Sequence, residues 1–240
     1  MTGEGVTVVV MPLLSLIEDN LNFVLELGIE ACSLSVGNTQ KEEKRIGQIY
    51  TEIKQMMYKI VYLTPEKIVK SPGLISSLDE LYSASKIDRF VIDEVHCVSH
   101  WGQDFRKDYL HLDILKKRFP KVPILGLTAT ATQKVKDDIA KRLGITNKVI
   151  YFQNSFNRPN LLYEIRDKKQ FKDIELDVKT MLEKRFKDKS GIIYCISRKD
   201  CERLAESLRR NYKIKCDFYH AELPYARRQE IQRNWMNNEI

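Results

Sequence analysis

The sequence predicts an α/β protein built on parallel, doubly wound sheets, and three observations carry that expectation. Short apolar runs alternate with longer amphipathic stretches across short connections, the pattern of right-handed crossovers onto a parallel sheet. The first run, residues 6–11 (Val-Thr-Val-Val-Val-Met), is continuous rather than alternating, as in a strand covered on both faces. A later run, residues 90–92, ends abruptly in Asp93 and Glu94. Unpaired carboxylates are costly inside, so the two acids belong at a strand's carboxyl end, where open α/β sheets bind their ligands.

The elements follow in order. Pro12 ends the first strand, and apolar residues at 14, 17, 21, 24 and 25 make a helix over 14–27, stopped by Gly28. Residues 29–34 form a second strand, 40–57 a polar helix and 59–63 a third strand. Thr64-Pro65-Glu66 opens the next helix, with Pro65 in its first turn and Thr64 as cap. A helix over 74–85 leads to the strand that carries Asp93. Beyond it come a helix over 110–119, a strand over 122–127 ending in Thr128-Ala129-Thr130-Ala131-Thr132, a helix over 132–143 stopped by Gly144, and a strand over 149–152. Asn and Pro then interrupt the rhythm over 153–160, as in a linker. A second α/β unit begins at Leu161, with helices over 171–186, 198–210 and 224–237 and strands over 191–195 and 216–219. Ser197 caps the middle helix.

Composition bounds the function. The chain has 240 residues, 43% hydrophobic and 30% charged, the balance of a globular protein. No apolar run approaches the ~18–20 residues of a membrane span, and the first residues lack the basic segment of a secretory leader. Five cysteines form no Cys-x-x-Cys pair, which points to reduced thiols rather than zinc or a disulfide framework. The net charge of +7 is uneven: residues 1–100 carry net −5 and the remainder net +12. A basic second half is the footprint of a polyanion binder.

The acidic pair is the chemical centre of the chain. Adjacent carboxylates at a strand end suit Mg²⁺, a hard ion that keeps several waters. With a nucleotide present, one acid can hold the metal and the next can orient the attacking water. Trp101, Phe105 and Tyr109 follow, interleaved with Arg106 and Lys107. Aromatic faces stack on single-stranded bases while cations neutralise phosphates.

Asp93-Glu94-Val95-His96 followed by Trp-Gly-x-Asp-Phe-Arg resembles the Walker B box and aromatic-rich loop of RecQ-type DNA helicases. The loop is specific to that family. Val95 stands in place of a common Ala, Gln103 in place of His, and His100 in place of Gln or Glu. Which loop side chain, Gln103 or His100, senses the γ-phosphate is therefore left open. The stretch 12–19 with Ser15 is similar to motif Ia, Tyr-x-Thr-Pro-Glu-Lys to motif Ib, and Thr128-Ala129-Thr130 to motif III. Ser155-Phe-Asn-Arg-Pro-Asn160 resembles the hinge motif, with Asn157 and Arg158 near the cleft.

The resemblance implies two RecA-like domains with parallel sheets: residues 1–153, a hinge over 154–160, and 161–240. No Gly-Lys-Ser/Thr occurs in the sequence, so the expectation is a first domain without its P-loop strand and a truncated second, with zinc held only in a missing downstream region. It further implies ATP and Mg²⁺ as cofactors, with Asp93 holding the metal through water. Glu94 and His96 are catalytic, and Thr128 to Thr130, His100 and Gln103 couple. Ser15, Trp101, Phe105, Arg106, Tyr109, Asn157 and Arg158 contact nucleic acid. Single-stranded and forked DNA are the partners, unwinding runs 3′-to-5′ in repair or recombination, no membrane is involved, and the location is the nucleus in a eukaryote or otherwise the cytoplasm. The alternatives are an RNA-directed helicase, which lacks the Trp-Gly-x-Asp-Phe-Arg loop, and a non-catalytic nucleic-acid-binding module.

Overall fold

A computed structural model of the chain describes residues 3–34, 40–101, 106–146, 149–155, 157–166, 174–187 and 189–240, without the side chains of 40–44. The chain divides into two compact units, Met1–Gln153 and Asn154–Ile240.

The first unit is a five-stranded, wholly parallel sheet in the order β2-β3-β1-β4-β5. The strands are β1 (Val6–Val10), β2 (Ala31–Ser33), β3 (Ile60–Leu63), β4 (Ile87–Ile92) and β5 (Ile124–Gly126). The continuous apolar run of β1 places it at the centre, with Val6, Val8 and Val10 buried. From β1 the chain leaves toward β2, and from its neighbour β4 it leaves toward β5. The strand order reverses between these two, and open sheets form their binding crevice at the carboxyl ends beside such a point. Pro12 and Asp93 both lie there.

Helices α1 (Leu14–Glu26), α2 (Gln40–Lys54), α3 (Pro65–Lys70), α4 (Pro72–Ser83), α5 (Asp113–Arg118) and α6 (Gln133–Arg142) complete the unit. Thr132 caps α6, its hydroxyl accepting from the Val135 amide at 3.4 Å. Gly144, at φ +67°, ends it with paired bonds from Gly144 N–H to the Lys141 carbonyl and Ile145 N–H to the Ala140 carbonyl. Thr64 occupies the cap position of α3 but its side chain makes no capping hydrogen bond, so Pro65 alone shapes that start. The helix expected over 110–119 is a 3₁₀ segment, Lys107–Leu112, continued by α5. Phe119 packs between Tyr82 and Phe90 at ring separations of 5.4 and 5.5 Å, sealing α4 and α5 onto β4.

The second unit contains α7 (Ile174–Lys184), α8 (Arg198–Tyr212) and α9 (Tyr225–Met236), with Ser197 capping α8 through the Asp200 amide at 3.1 Å. Here the structure departs from the expected parallel sheet. Among the described residues, 191–195 and 216–219 are not paired into a ladder, and neither is 149–152 in the first unit. A strand exists through its neighbours: main-chain groups that find no ladder partner remain with solvent. Tyr194 is accordingly 92% exposed and Phe152 90%. All five cysteines are free thiols, and burial pushes Cys32 up to about 12. No helix among the described residues is long and apolar enough to cross a membrane.

Candidate active site at the carboxyl ends of the sheet

Asp93 follows the last residue of β4, and its amide still donates to the Val10 carbonyl of β1 at 2.9 Å. Its Oδ1 accepts the Glu94 N–H at 2.9 Å. Glu94 then adopts a left-handed backbone, φ 47° and ψ 43°. That conformation costs a non-glycine residue on the order of 1 kcal/mol and persists only where the surroundings fix it. They do so here: the next amide, of Val95, donates to the Leu127 carbonyl beyond β5 at 2.9 Å. Gly126 makes the close approach possible, because a Cβ there would meet the Val95 methyls at 3.1 and 3.2 Å. The acidic turn is thus tied to β1 on one side and to β5 on the other.

This turn brings Glu94 to His96. The imidazole is buried, and its Nδ1 lies 3.2 Å from Glu94 Oε2 and 2.9 Å from Thr128 Oγ1. Thr128 Oγ1 also accepts the Thr130 N–H at 3.2 Å. One ring nitrogen therefore faces a carboxylate at the end of β4 and a hydroxyl at the end of β5. A proton on that nitrogen has two acceptors, and any displacement of Glu94 changes its preference between them.

Downstream, Arg106 Nη1 donates to the Pro12 carbonyl at 3.0 Å, and the Tyr109 hydroxyl donates to the Asp93 carbonyl at 3.0 Å. Both ends of the crevice are so bridged by the segment after the loop. Burial, with the nearby Cys97 and Asp93 charges, pushes the Tyr109 phenol well above its ordinary pKa, so it stays a donor. Trp101 is 62% exposed, with the Lys134 Nζ 3.1 Å from its ring centroid.

The DEAD/DEAH box helicase family matches residues 2–138, a span that holds every residue of this cluster. The chain belongs to the DEAD/DEAH box helicases. It is 46% identical over 238 residues to ATP-dependent DNA helicase Q-like 4B of Arabidopsis thaliana, covering 98% of this chain and 20% of that protein. It is 43% identical to ATP-dependent DNA helicase Q1 of Pongo abelii, covering 99% and 36%, and 41% identical to ATP-dependent DNA helicase hus2/rqh1 of Schizosaccharomyces pombe, covering 98% and 17%. The RecQ-type resemblance of the aromatic-rich loop agrees with these relatives, of whose length the chain spans well under half. Among solved structures it is similar to the Pyrococcus furiosus Hef helicase domain, with a TM-score of 0.42 and 18% identity over 88% of this chain and 45% of that one.

Within this chain the expected site residues separate. Asp93, Glu94, His96 and Thr128 to Thr130 are brought together. Tyr109 is a correction: it is fully buried and cannot stack on a base, because its ring fills the core beneath the acidic turn while its hydroxyl holds Asp93. Arg106 spends one guanidinium N–H on Pro12. Ser15 lies exposed in the first turn of α1, and His100 is exposed beside Trp101. Asn157 and Arg158 are exposed in the second unit. Gln103 and Phe105 lie outside the described residues. Ser99 carries no signal in the sequence, yet its fully buried hydroxyl donates to Asp138 Oδ2 at 2.7 Å across 39 positions. Pro12, read from the sequence as the end of the first strand, also contributes its main-chain carbonyl to the site.

Proposed function

We propose that this chain is part of an ATP-dependent DNA helicase motor, in which the acidic turn works on the nucleotide and the aromatic loop reads single-stranded DNA. The observation that carries it is the shared His96 Nδ1, which links the carboxylate of Glu94 to the Thr128 hydroxyl. Asp93 and Glu94 offer two carboxylates at the crevice mouth, with one Asp93 oxygen engaged by a main-chain amide. That donor set fits Mg²⁺, which takes one or two carboxylates, phosphate oxygens and water. Asp93 would hold the ion through water, and the ion would neutralise charge on the transferring phosphoryl group.

Glu94, partly open to solvent, orients the attacking water. His96 registers the position of Glu94 and passes it to Thr128 to Thr130, with His100 and Gln103 the candidates for sensing the γ-phosphate. Trp101 and Phe105 present faces to bases, while Ser15 and Arg106 line the track. Asn157 and Arg158 lie in a hinge between two RecA-like domains. The substrates are single-stranded and forked DNA, unwound 3′-to-5′ in repair or recombination, with the nucleus as the location in a eukaryote. DNA rather than RNA is favoured by the relatives, which are named DNA helicases.

The test is a chimaera in which a Gly-x-Gly-Lys-Ser loop and its strand precede Val6 and a complete second domain follows. Glu94→Gln should bind ATP as the parent does and hydrolyse it at least ~10²-fold more slowly, the range removed with a positioned proton acceptor. Parental turnover in Glu94→Gln would remove the turn from the chemistry.

A further inference from the structure

We infer that helix α6 sets the single-strand response of Trp101: Asp138 positions its main chain through Ser99, and the Lys134 ammonium covers one face of the indole. The proposal rests on the reading of Trp101 as DNA-facing and adds the residues that control it.

Ser99 is fully buried, and its hydroxyl is used twice. It donates to Asp138 Oδ2 at 2.7 Å and accepts the Trp101 N–H at 3.2 Å. Asp138 is itself held by Arg142 Nε at 2.9 Å, one turn along α6. A buried hydroxyl with both roles filled has one orientation, so the Trp101 amide is fixed relative to α6. Lys134 lies one turn before Asp138 on the same face, and its Nζ sits 3.1 Å from the Trp101 centroid. The helix therefore grips the residue at two points, by the main chain and by the ring. The same helix begins at the Thr132 cap, four residues after Thr128, whose hydroxyl meets His96. A displacement at the nucleotide end has a short, rigid route to Trp101.

The covering lysine has a consequence for ligand choice. A cation over an exposed indole is worth roughly two- to fivefold in an equilibrium. A base that stacks on the covered face of Trp101 must displace it. A nucleic acid returns a partner, because the released ammonium can meet the phosphate of the stacked nucleotide. A neutral aromatic ligand returns nothing. The exchange favours a polyanion carrying bases over any uncharged aromatic.

Trp101 and Trp235 are the two tryptophans of the chain, so Trp235→Phe leaves Trp101 as the sole reporter in the 240-residue protein. Lys134 is exposed, and Lys134→Met keeps the stem without the charge. Without DNA, acrylamide quenching of Trp101 should rise about twofold in Lys134→Met. The salt slope of oligothymidylate binding should fall by about 0.7, one single-strand phosphate contact. Asp138→Ala should lower the fluorescence anisotropy of Trp101 and weaken oligothymidylate binding about threefold or more. Asp138→Asn should restore both, since its amide oxygen can accept from Ser99. Unchanged quenching and salt slope in Lys134→Met would overturn the cover. Asp138→Asn as impaired as Asp138→Ala would overturn the positioning bond. If Trp101 emission in the parent ignores oligothymidylate while quenching responds to Lys134→Met, the packing stands and the DNA-facing reading of Trp101 fails.

Discussion

The two units contain the same kinds of apolar run and treat them in opposite ways. In the first, Phe90 and Ile92 of β4 are fully buried between β1 and β5. In the second, Ile192 to Tyr194 and Ile196 are exposed, with no ladder among the described residues. β5 shows the intermediate case: among the described residues it pairs with β4 on one side only, and Leu125 is exposed. Apolar β-branched sequence raises the propensity for a strand, but burial needs neighbours on both edges and layers on both faces. The polar ledger agrees. Among the described residues, the buried side-chain atoms left without a partner, His220 Nδ1 and Arg228 Nε, both belong to the second unit.

Hydrogen exchange gives the largest effect by which this contrast can be broken. Amides of β1, β3 and β4 should exchange only through global opening, while those of 191–195 should exchange nearly as in an unfolded chain. Protection in 191–195 equal to that of β4 would erase the distinction. The one-sided β5 should also make the chain self-associate, since an open apolar edge is a template for pairing. Sedimentation showing a monomer at tens of micromolar would contradict that.

Next in size is a contrast inside the aromatic-rich segment. Tyr109→Ala should cost ~3–5 kcal/mol of stability, as for other large core aromatics. Tyr109→Phe should cost ~1 kcal/mol, the Asp93 bond alone. Trp101→Ala, at an exposed position, should stay within ~0.5 kcal/mol. Melting the three variants beside the parent checks the order.

That contrast marks where the sequence was legible. The continuous apolar run of Val6 to Val10, the capping of Ser197, and the stops at Gly28 and Gly144 are local, and each was found where local chemistry placed it, whereas Thr64 holds its cap position without the side-chain bond. The acids of 93 and 94 were legible because charge at the end of an apolar run has few homes. Tyr109 was misjudged because an aromatic among cations looks alike in sequence whether it faces solvent or the core. Ser99 with Asp138 was invisible because the pair forms across 39 positions, through folding alone. The strands expected over 149–152, 191–195 and 216–219 had the right composition, but pairing is a property of neighbours.

A smaller effect is the acid response of that pair. Burial alone would raise the Asp138 carboxyl, but the Ser99 hydroxyl and the Arg142 guanidinium outweigh it and hold it below the ordinary range. A carboxyl depressed in the folded state adds stability above the unfolded value of ~3.9, and loses it as pH falls through the folded value. Stability of the parent should therefore drop between about pH 5 and pH 2 more than that of Asp138→Asn. Parallel curves would show that the pair contributes nothing. The smallest effect follows from charge: Met1–Gln153 carries net +1 and Asn154–Ile240 net +6. Binding of the chain to oligothymidylate should be weak and should fall between low and physiological salt. Salt-indifferent binding would contradict a phosphate-led interaction.

The most direct measurement of the coupling between the acidic turn and the aromatic loop is Trp101→Ala in the P-loop-bearing chimaera. ATP hydrolysis with and without single-stranded DNA, DNA affinity and melting temperature are read on one preparation. Trp101 follows Glu94 by seven positions, so a base on its ring pulls on the segment that sets Glu94 and His96. DNA stimulation of hydrolysis should vanish, while affinity falls by about tenfold at most, within the ~1–3 kcal/mol of one stacked base. The melting temperature should not move. Retained stimulation, or a large fall in melting temperature, would contradict it.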